Sequence, residues 1–241
     1  MGRLFFIGDT HGSVEINKLG FKHFPLGHEL TKEDIVCICG DVGLVWDGSR
    51  TDAYWQDWCE NLPFTVVGCL GNHENYNLIR QIPTENWNGG LVHKVRPHVM
   101  FLENGEIFNL NGHSTFVMGG ATSLDKVYRK EGISWWPQEI PSYQEFARAS
   151  DNLIKHNFQV DLIMSHCAPN SVIDAIDRFQ PFHDEVTNYL EKFVLKNTTF
   201  TSWFCGHYHL DKTVFNKIHI LYNDILEVLT DHTTKYMGTT K

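Results

Sequence analysis

Five short polar clusters in this chain carry the residue types that bind cations and move protons. They are Asp9-Thr10-His11, Gly40-Asp41, Gly71-Asn72-His73-Glu74, Ser165-His166 and Gly206-His207-Tyr208-His209. Asp9 and His11 are two apart, so an extended segment turns both side chains the same way. The Asp41 carboxylate has two oxygens, enough to bridge two cations. Asn72 offers a neutral amide oxygen, and His166, His207 and His209 offer imidazoles. His73 can carry a proton, and the neighbouring Glu74 carboxylate can hold its ring in one tautomer. Asp9, His11, Asp41, Asn72, His166, His207 and His209 make seven candidate ligands, too many for one ion and suited to two. A mixed N/O set without thiolate fits Mn²⁺, Fe, Zn²⁺, Co²⁺ or Ni²⁺, Mn²⁺ first among them, and argues against a structural zinc site. Two such ions about 3.5–4 Å apart can hold a bridging hydroxide and clamp a phosphoryl group for in-line attack.

Each cluster ends an apolar run, and those runs are the elements that must position it. Leu4–Ile7, Ile35–Cys39 and Phe64–Cys69 read as strands buried on both faces. Helices are predicted from Ser13, as N-cap, to Phe24, with Val14, Ile16 and Leu19 inward, and over residues 51–61. Strands alternating with helices imply parallel pairing, with ligands at the carboxyl ends of the strands. Residues 92–118 change to short strands separated by Pro and Asn-Gly turns, an antiparallel meander assigned to a second sheet. A helix follows from Ser142 to about Asn157, then a strand Asp161–Ser165, a helix Asp184–Lys196 and a strand Phe200–Cys205. Short antiparallel strands over 213–229 close the pattern, and a polar tail from Thr230 to Lys241 is expected to be mobile.

Bulk properties narrow the classes. The 241 residues suffice for a real core and are read as one domain with no internal linker. The net charge of −9 excludes a broad basic surface for nonspecific DNA binding. The six cysteines lack C-x-x-C spacing, and four lie in apolar runs, which suggests buried thiols in a reducing compartment. With no signal sequence, no myristoylation pattern and no apolar run of about 20 residues, the expectation is a cytoplasmic protein. Residues 120–142 combine Arg129, Trp135 and Trp136 between a Gly-Gly pair and two prolines. This composition suits an ordered loop covering the site, with Arg129 on phosphate and the two indoles as an apolar wall.

The five clusters, over residues 9–209, resemble those of the calcineurin-like metallophosphoesterase superfamily in type and order. The resemblance implies an α/β fold, a two-sheet mixed β-sandwich flanked by helices. It implies Asp9, His11 and His209 on one metal, Asn72, His166 and His207 on the other, and Asp41 as bridge. His73 would stand beside the metals and protonate the leaving oxygen. Two positions depart from the family pattern. The second block usually reads Gly-Asp-x-x-Asp, often followed by Arg; here it is Gly40-Asp41-Val42-Gly43-Leu44, unlike the Ser/Thr protein phosphatase branch. The third usually ends in Asp; here Glu74 is one methylene longer. Segment 119–139 resembles an insertion of bacterial and phage members.

The expected function is binuclear metal-dependent hydrolysis of a phosphomonoester or phosphodiester. A metal-bridging hydroxide would be the nucleophile and His73 the general acid. The expected partner is a small phosphate ester, with nucleic acid only as a substrate and no membrane. Two alternatives belong to other classes. One is a nuclease acting on DNA or RNA, which the acidic balance disfavours although a Trp pair can stack a base. The other is a non-catalytic metal-bound interaction module, which has no need of His73 as a proton donor.

Overall fold

The computed structural model describes residues 2–177, 179 and 181–239. Four apolar strands, β1 (Leu4–Ile7), β2 (Ile35–Ile38), β3 (Thr65–Gly68) and β6 (Val99–Leu102), lie parallel at the centre of an eight-stranded sheet. Outside β6 run β5 (Gly90–Arg96) and β4 (Thr84–Trp87), both antiparallel to their neighbours. Outside β1 run β13 (Asp224–Val228) and β14 (Thr234–Thr239). The second sheet has six strands in the order β11 (Lys212–Val214), β12 (Ile218–Ile220), β10 (Ser202–Cys205), β9 (Leu162–Ser165), β8 (His113–Met118) and β7 (Ile107–Leu110). Its four inner strands are parallel, with antiparallel edges. This is the two-sheet mixed sandwich expected from the sequence.

Three apolar layers hold it together. Leu4, Phe6, Cys37, Val67, Met100, Phe108, Val117, Met164 and Phe204 fill the space between the sheets. There the Phe6 and Phe204 rings stack with centroids 4.0 Å apart. On the outer face of the first sheet, α1 (Arg50–Glu60) covers Phe5, Val36, Ile38 and Val66. On the outer face of the second lie α3 (Tyr143–Lys155), α4 (Asn170–Ile176) and α5 (Glu185–Tyr189). A single π-helical turn, Leu190–Leu195, extends α5.

Several expectations are corrected. No helix runs from Ser13 to Phe24. Short 3₁₀ turns, Gly12–Val14 and Ile16–Leu19, replace it, Ser13 caps nothing and Val14 is 74% exposed. The reason is local: the Glu15 amide bonds the Thr10 carbonyl and the Lys18 ammonium bonds that of Asp9, tying the segment back to the β1 loop. The meander over 92–118 does not form one sheet. β5 and β6 join the first and β7 and β8 the second, because alternation specifies local pairing but not the sheet a hairpin joins. Likewise β12 is parallel to β10, and β13 returns to β1 in the other sheet. The tail from Thr230, expected to be mobile, supplies edge strand β14; Thr240 and Lys241 lie outside the described residues. The short elements α2 (Tyr76–Ile79), α4 and β4 are absent from the sequence reading.

The helix expected from Ser142 to about Asn157 forms as α3, with Ser142 as its N-cap. Its hydroxyl accepts from the Glu145 amide while Glu145 takes the Ser142 amide, a reciprocal capping box. Glu145 also bonds the Asn104 amide group, and the Asn104 oxygen accepts the Gly119 N–H at the end of β8. Ser142→Ala is therefore expected to lower stability by about 1 kcal/mol, a fall in Tm of about 2–4 °C. Thermal unfolding followed by circular dichroism checks this.

Candidate metal centre

The carboxyl ends of β1, β2 and β3 in one sheet meet those of β9 and β10 in the other, and the five polar clusters converge there. Asp9 follows β1, Asp41 follows β2, Asn72 and His73 follow β3, His166 follows β9, and His207 and His209 follow β10. The convergence imposes backbone strain. His11, Asp41, His207 and His209 all have positive φ, of 44°, 47°, 70° and 49°. Such left-handed residues typically cost about 1–3 kcal/mol each and persist where packing over-determines them. Two glycines let donors approach. A Cβ on Gly40 (φ 85°) would sit 2.2 Å from His166 Nδ1, and one on Gly206 would sit 2.1 Å from Asp9 Oδ1.

The buried Asp41 carboxylate stands between two groups of donors. Its Oδ2 lies 3.4 Å from His11 Nε2, and its Oδ1 lies 3.3 Å from His166 Nε2 and accepts the His73 amide at 2.7 Å. On the first side, Asp9 Oδ2 is 3.1 Å from His209 Nε2 and 3.9 Å from His11 Nε2. On the second, His166 Nε2 is 2.9 Å from Asn72 Oδ1, and the His207 ring meets the His166 ring edge-on with centroids 4.9 Å apart. Asp9, His11 and His209 have donor atoms within 4.8 Å of one another, and so do Asp9, Asp41 and His166. Asp9 Oδ2 is buried yet accepts no hydrogen bond. A fully desolvated carboxylate oxygen aimed at imidazoles fits a cation ligand.

Electrostatics agree. Burial disfavours the Asp41 anion, but His166 and His11 hold its pKa well below the usual carboxylate range. Burial likewise lowers the His166 imidazolium, yet Asp41, Asp9 and the Cys39 carbonyl push it up to about 9. The same carboxylates that hold this proton would hold a divalent cation in its place. Burial and the neighbouring His166 take His207 down to about 4, leaving it neutral and free to ligate. Burial and then Arg129 lower His73, against the pull of Asp41.

The donors are themselves held. His166 Nδ1 donates to the Cys39 carbonyl at 2.9 Å, which leaves Nε2 facing the site. Asn72 Nδ2 donates to Ser123 Oγ, and Ser123 donates to Glu139, so the amide oxygen points at the cations' place. His11 Nδ1 lies 3.0 Å from Glu15, which Tyr222 and Lys18 also bond. Ser123 and Glu139 belong to the segment 119–139 that resembles a family insertion but were given no role from sequence, and Glu15, Lys18 and Tyr222 carry no motif. Lys18 is buried, yet it is one of two lysines in a mixed polar and apolar segment, so its type gave no signal.

Glu74 does not orient His73. Its fully buried carboxylate accepts the Val42 amide at 2.7 Å and the Gly43 amide at 3.3 Å, pinning the loop that carries Asp41. The extra methylene gives the reach for a backbone contact across the site. Arg129 does reach the centre: Nη2 lies 3.0 Å from His73 Nε2 and Nη1 3.3 Å from Nδ1, with Nε on Asp125 at 2.8 Å. The two tryptophans part company. Trp136 is 1% exposed and packs edge-on against Trp46 in the core, so it offers no face to a substrate. Trp135 sits near Lys126 and lines neither cavity at the site. Adjacent residues on an extended segment point opposite ways, which excludes a paired wall. Cys167 is buried with its thiol pushed up by burial, not an activated nucleophile.

A family profile described as calcineurin-like phosphoesterase matches residues 2–211. The chain belongs to this family. Among curated proteins none matches the sequence significantly. Two solved structures share the fold. TT1561 of Thermus thermophilus is 12% identical with a TM-score of 0.54, over 100% of this chain and 99% of that one. GAP50, the anchor in the inner membrane complex of Plasmodium, is 11% identical with a TM-score of 0.56, over 100% of this chain and 85% of that one. Among the described residues no helix is long and apolar enough to cross a membrane.

The Glu74 geometry separates two roles. Glu74→Ala strands the Val42 and Gly43 amides and is expected to destabilise the protein by about 1–3 kcal/mol. Because it releases the Asp41 loop, it should also weaken metal binding, measured by calorimetric titration of the apoprotein. Glu74→Gln keeps an acceptor and should do less of both. Intact metal affinity with slowed turnover in Glu74→Ala would instead restore the role of orienting His73.

Proposed function

We propose that this phosphoesterase-family chain hydrolyses a phosphoester with two divalent cations, Mn²⁺ first among the candidates. Asp9, His11 and His209 would hold one, Asn72, His166 and His207 the other, and Asp41 both. The observation that carries the reading is Asp41, whose two oxygens face imidazoles of the two different groups. When bound, such a pair supplies an activated nucleophile and neutralises phosphoryl charge. The protein's own groups do the rest. The His73 amide is anchored on Asp41 Oδ1, which fixes the ring at the cavity wall, where it donates a proton to the departing ester oxygen. Arg129, whose planar fork lies against that ring, binds the non-bridging phosphate oxygens. The segment 120–142 thus acts as a cover through Arg129, Ser123 and Glu139. A cytoplasmic location is part of the same reading, supported by six free, buried thiols.

The Plasmodium neighbour is named for anchoring, which keeps a non-catalytic role in view. A proton donor and an anion clamp facing an open cavity favour catalysis, since a scaffold needs neither.

Elemental analysis of protein reloaded with Mn²⁺ should approach two ions per chain, and Asp41→Asn should lose most among the ligand variants. Saturation at one ion would count against the binuclear reading. His73→Ala should retain metal and slow turnover by about 10²–10⁴. That loss should shrink for nitrophenyl esters relative to alkyl esters, whose leaving oxygen needs the proton. Arg129→Lys should weaken inhibition by inorganic phosphate without loss of metal; unchanged inhibition would remove Arg129 from the site.

A further inference from the structure

Two cavities open on the metal centre, and His73 and His209 wall both of them. The first, of about 600 Å³, runs from His11 along Val14, Trp46, Trp55 and Tyr222. The second, of about 360 Å³, runs past Arg129 along Leu124, Ile173, Ile176 and Phe182. Both sizes suit a small organic group. Their charges are unlike those of a polyanion site. Among the described residues no Lys or Arg lines the first cavity, whose formal charges are the carboxylates of Glu15, Asp47 and Asp52. Glu15 is taken up by His11, Lys18 and Tyr222, and Asp52 by three backbone amides. What remains for a ligand is the indole and aliphatic wall. In the second cavity Arg129 is the one Lys or Arg side chain among the described lining residues. Beyond Asp41 this cavity also carries the carboxylates of Asp125, Asp177 and Asp184, of which Asp125 is held by Arg129 and Asp184 by the Thr122 and Thr187 amides. Val14 and Leu124 are exposed, 74% and 66%, as an apolar rim at each mouth.

We propose that the substrate is a phosphodiester with two uncharged substituents, a flat one against Trp46 and Trp55 and an apolar one beside Leu124 and Phe182. The single phosphate charge lies between them, at His73 and Arg129. This rests on the phosphoester reading above. A monoester has one substituent and leaves one cavity unfilled. A nucleic-acid strand carries further phosphates, which on the first side would meet Asp47, with no Lys or Arg among the described lining residues to receive them. In the reaction a water oxygen bonds to phosphorus as one P–O ester bond breaks. The departing oxygen takes the proton, leaving a phosphomonoester and an alcohol or phenol.

The test uses the Mn²⁺-loaded full chain with bis(4-nitrophenyl) phosphate, 4-nitrophenyl phosphate and single-stranded DNA. The expected result is a kcat/KM for the diester at least tenfold above that for the monoester, with DNA slower than either. Trp55→Ala, Val14→Asp and Phe182→Asp should each lower the diester value at least fivefold. Val14 and Phe182 are exposed enough that their variants should fold, which thermal unfolding checks. By calorimetry, diphenyl phosphate should bind at least tenfold more tightly than phenyl phosphate, and Val14→Asp should reduce that ratio. Faster monoester turnover, preference for DNA, or indifference to all three substitutions would overturn the diester assignment while leaving the phosphoester reading standing. No turnover of any substrate would overturn both.

Discussion

The Asp41 carboxylate is the constraint around which this molecule is arranged. It is a buried charge with a left-handed backbone, an unfavourable combination unless its surroundings compensate. They do so from every side. Its carbonyl accepts the Thr10 and His11 amides, its Oδ1 accepts the His73 amide, and its two oxygens face His166 and His11. The next two amides in the loop are held by Glu74. The ends of β1, β2, β3 and β9 are thus tied through one side chain. Those strands come from both sheets, so the contact also sets how the sheets meet.

The apolar layers sustain this arrangement. The inter-sheet layer, with Phe6 stacked on Phe204, holds β1 and β10 at a fixed separation. Directly beyond that pair, Asp9 accepts the His207 amide at 2.9 Å. Packing energy gathered along whole strands therefore offsets the strain and desolvation of a few residues at one end. This is the general position of ligand sites in sheets with parallel strands. Here two sheets contribute to one site.

The surroundings of the centre divide by task. The Lys18–Glu15–Tyr222 network steadies His11 and closes one flank, with the Lys18 ammonium 3.6 Å above the Tyr222 ring. Ser123 and Glu139 steady Asn72 from the other flank. The segment 120–142 therefore contributes more by hydrogen bonding than by its tryptophans. Trp136 anchors it in the core against Trp46, and Arg129 is delivered to His73 by that anchor and by Asp125.

By itself the sequence determined the candidate ligand types, their positions at strand ends and the two-sheet class. Asp9, His11, Asp41, Asn72, His73, His166, His207 and His209 were legible because polar residues at the end of an apolar run are costly unless they bind something. The start of a helix at Ser142 was legible because helix-start signals are local. Tertiary structure decided what distance in the chain conceals. Whether β5 and β6 join the first sheet or the second depends on packing, since both registers satisfy the same alternation. The Glu74 carboxylate could turn to its neighbour His73 or to amides 31 and 32 residues away, and only the fold brings Val42 and Gly43 within reach. Trp135 and Trp136 are chemically alike and adjacent, but an extended backbone sends one to the core and the other outward. The orienting contacts that Tyr222 makes to Glu15 and Ser123 makes to Asn72 join distant segments, and no local pattern of sequence encodes them.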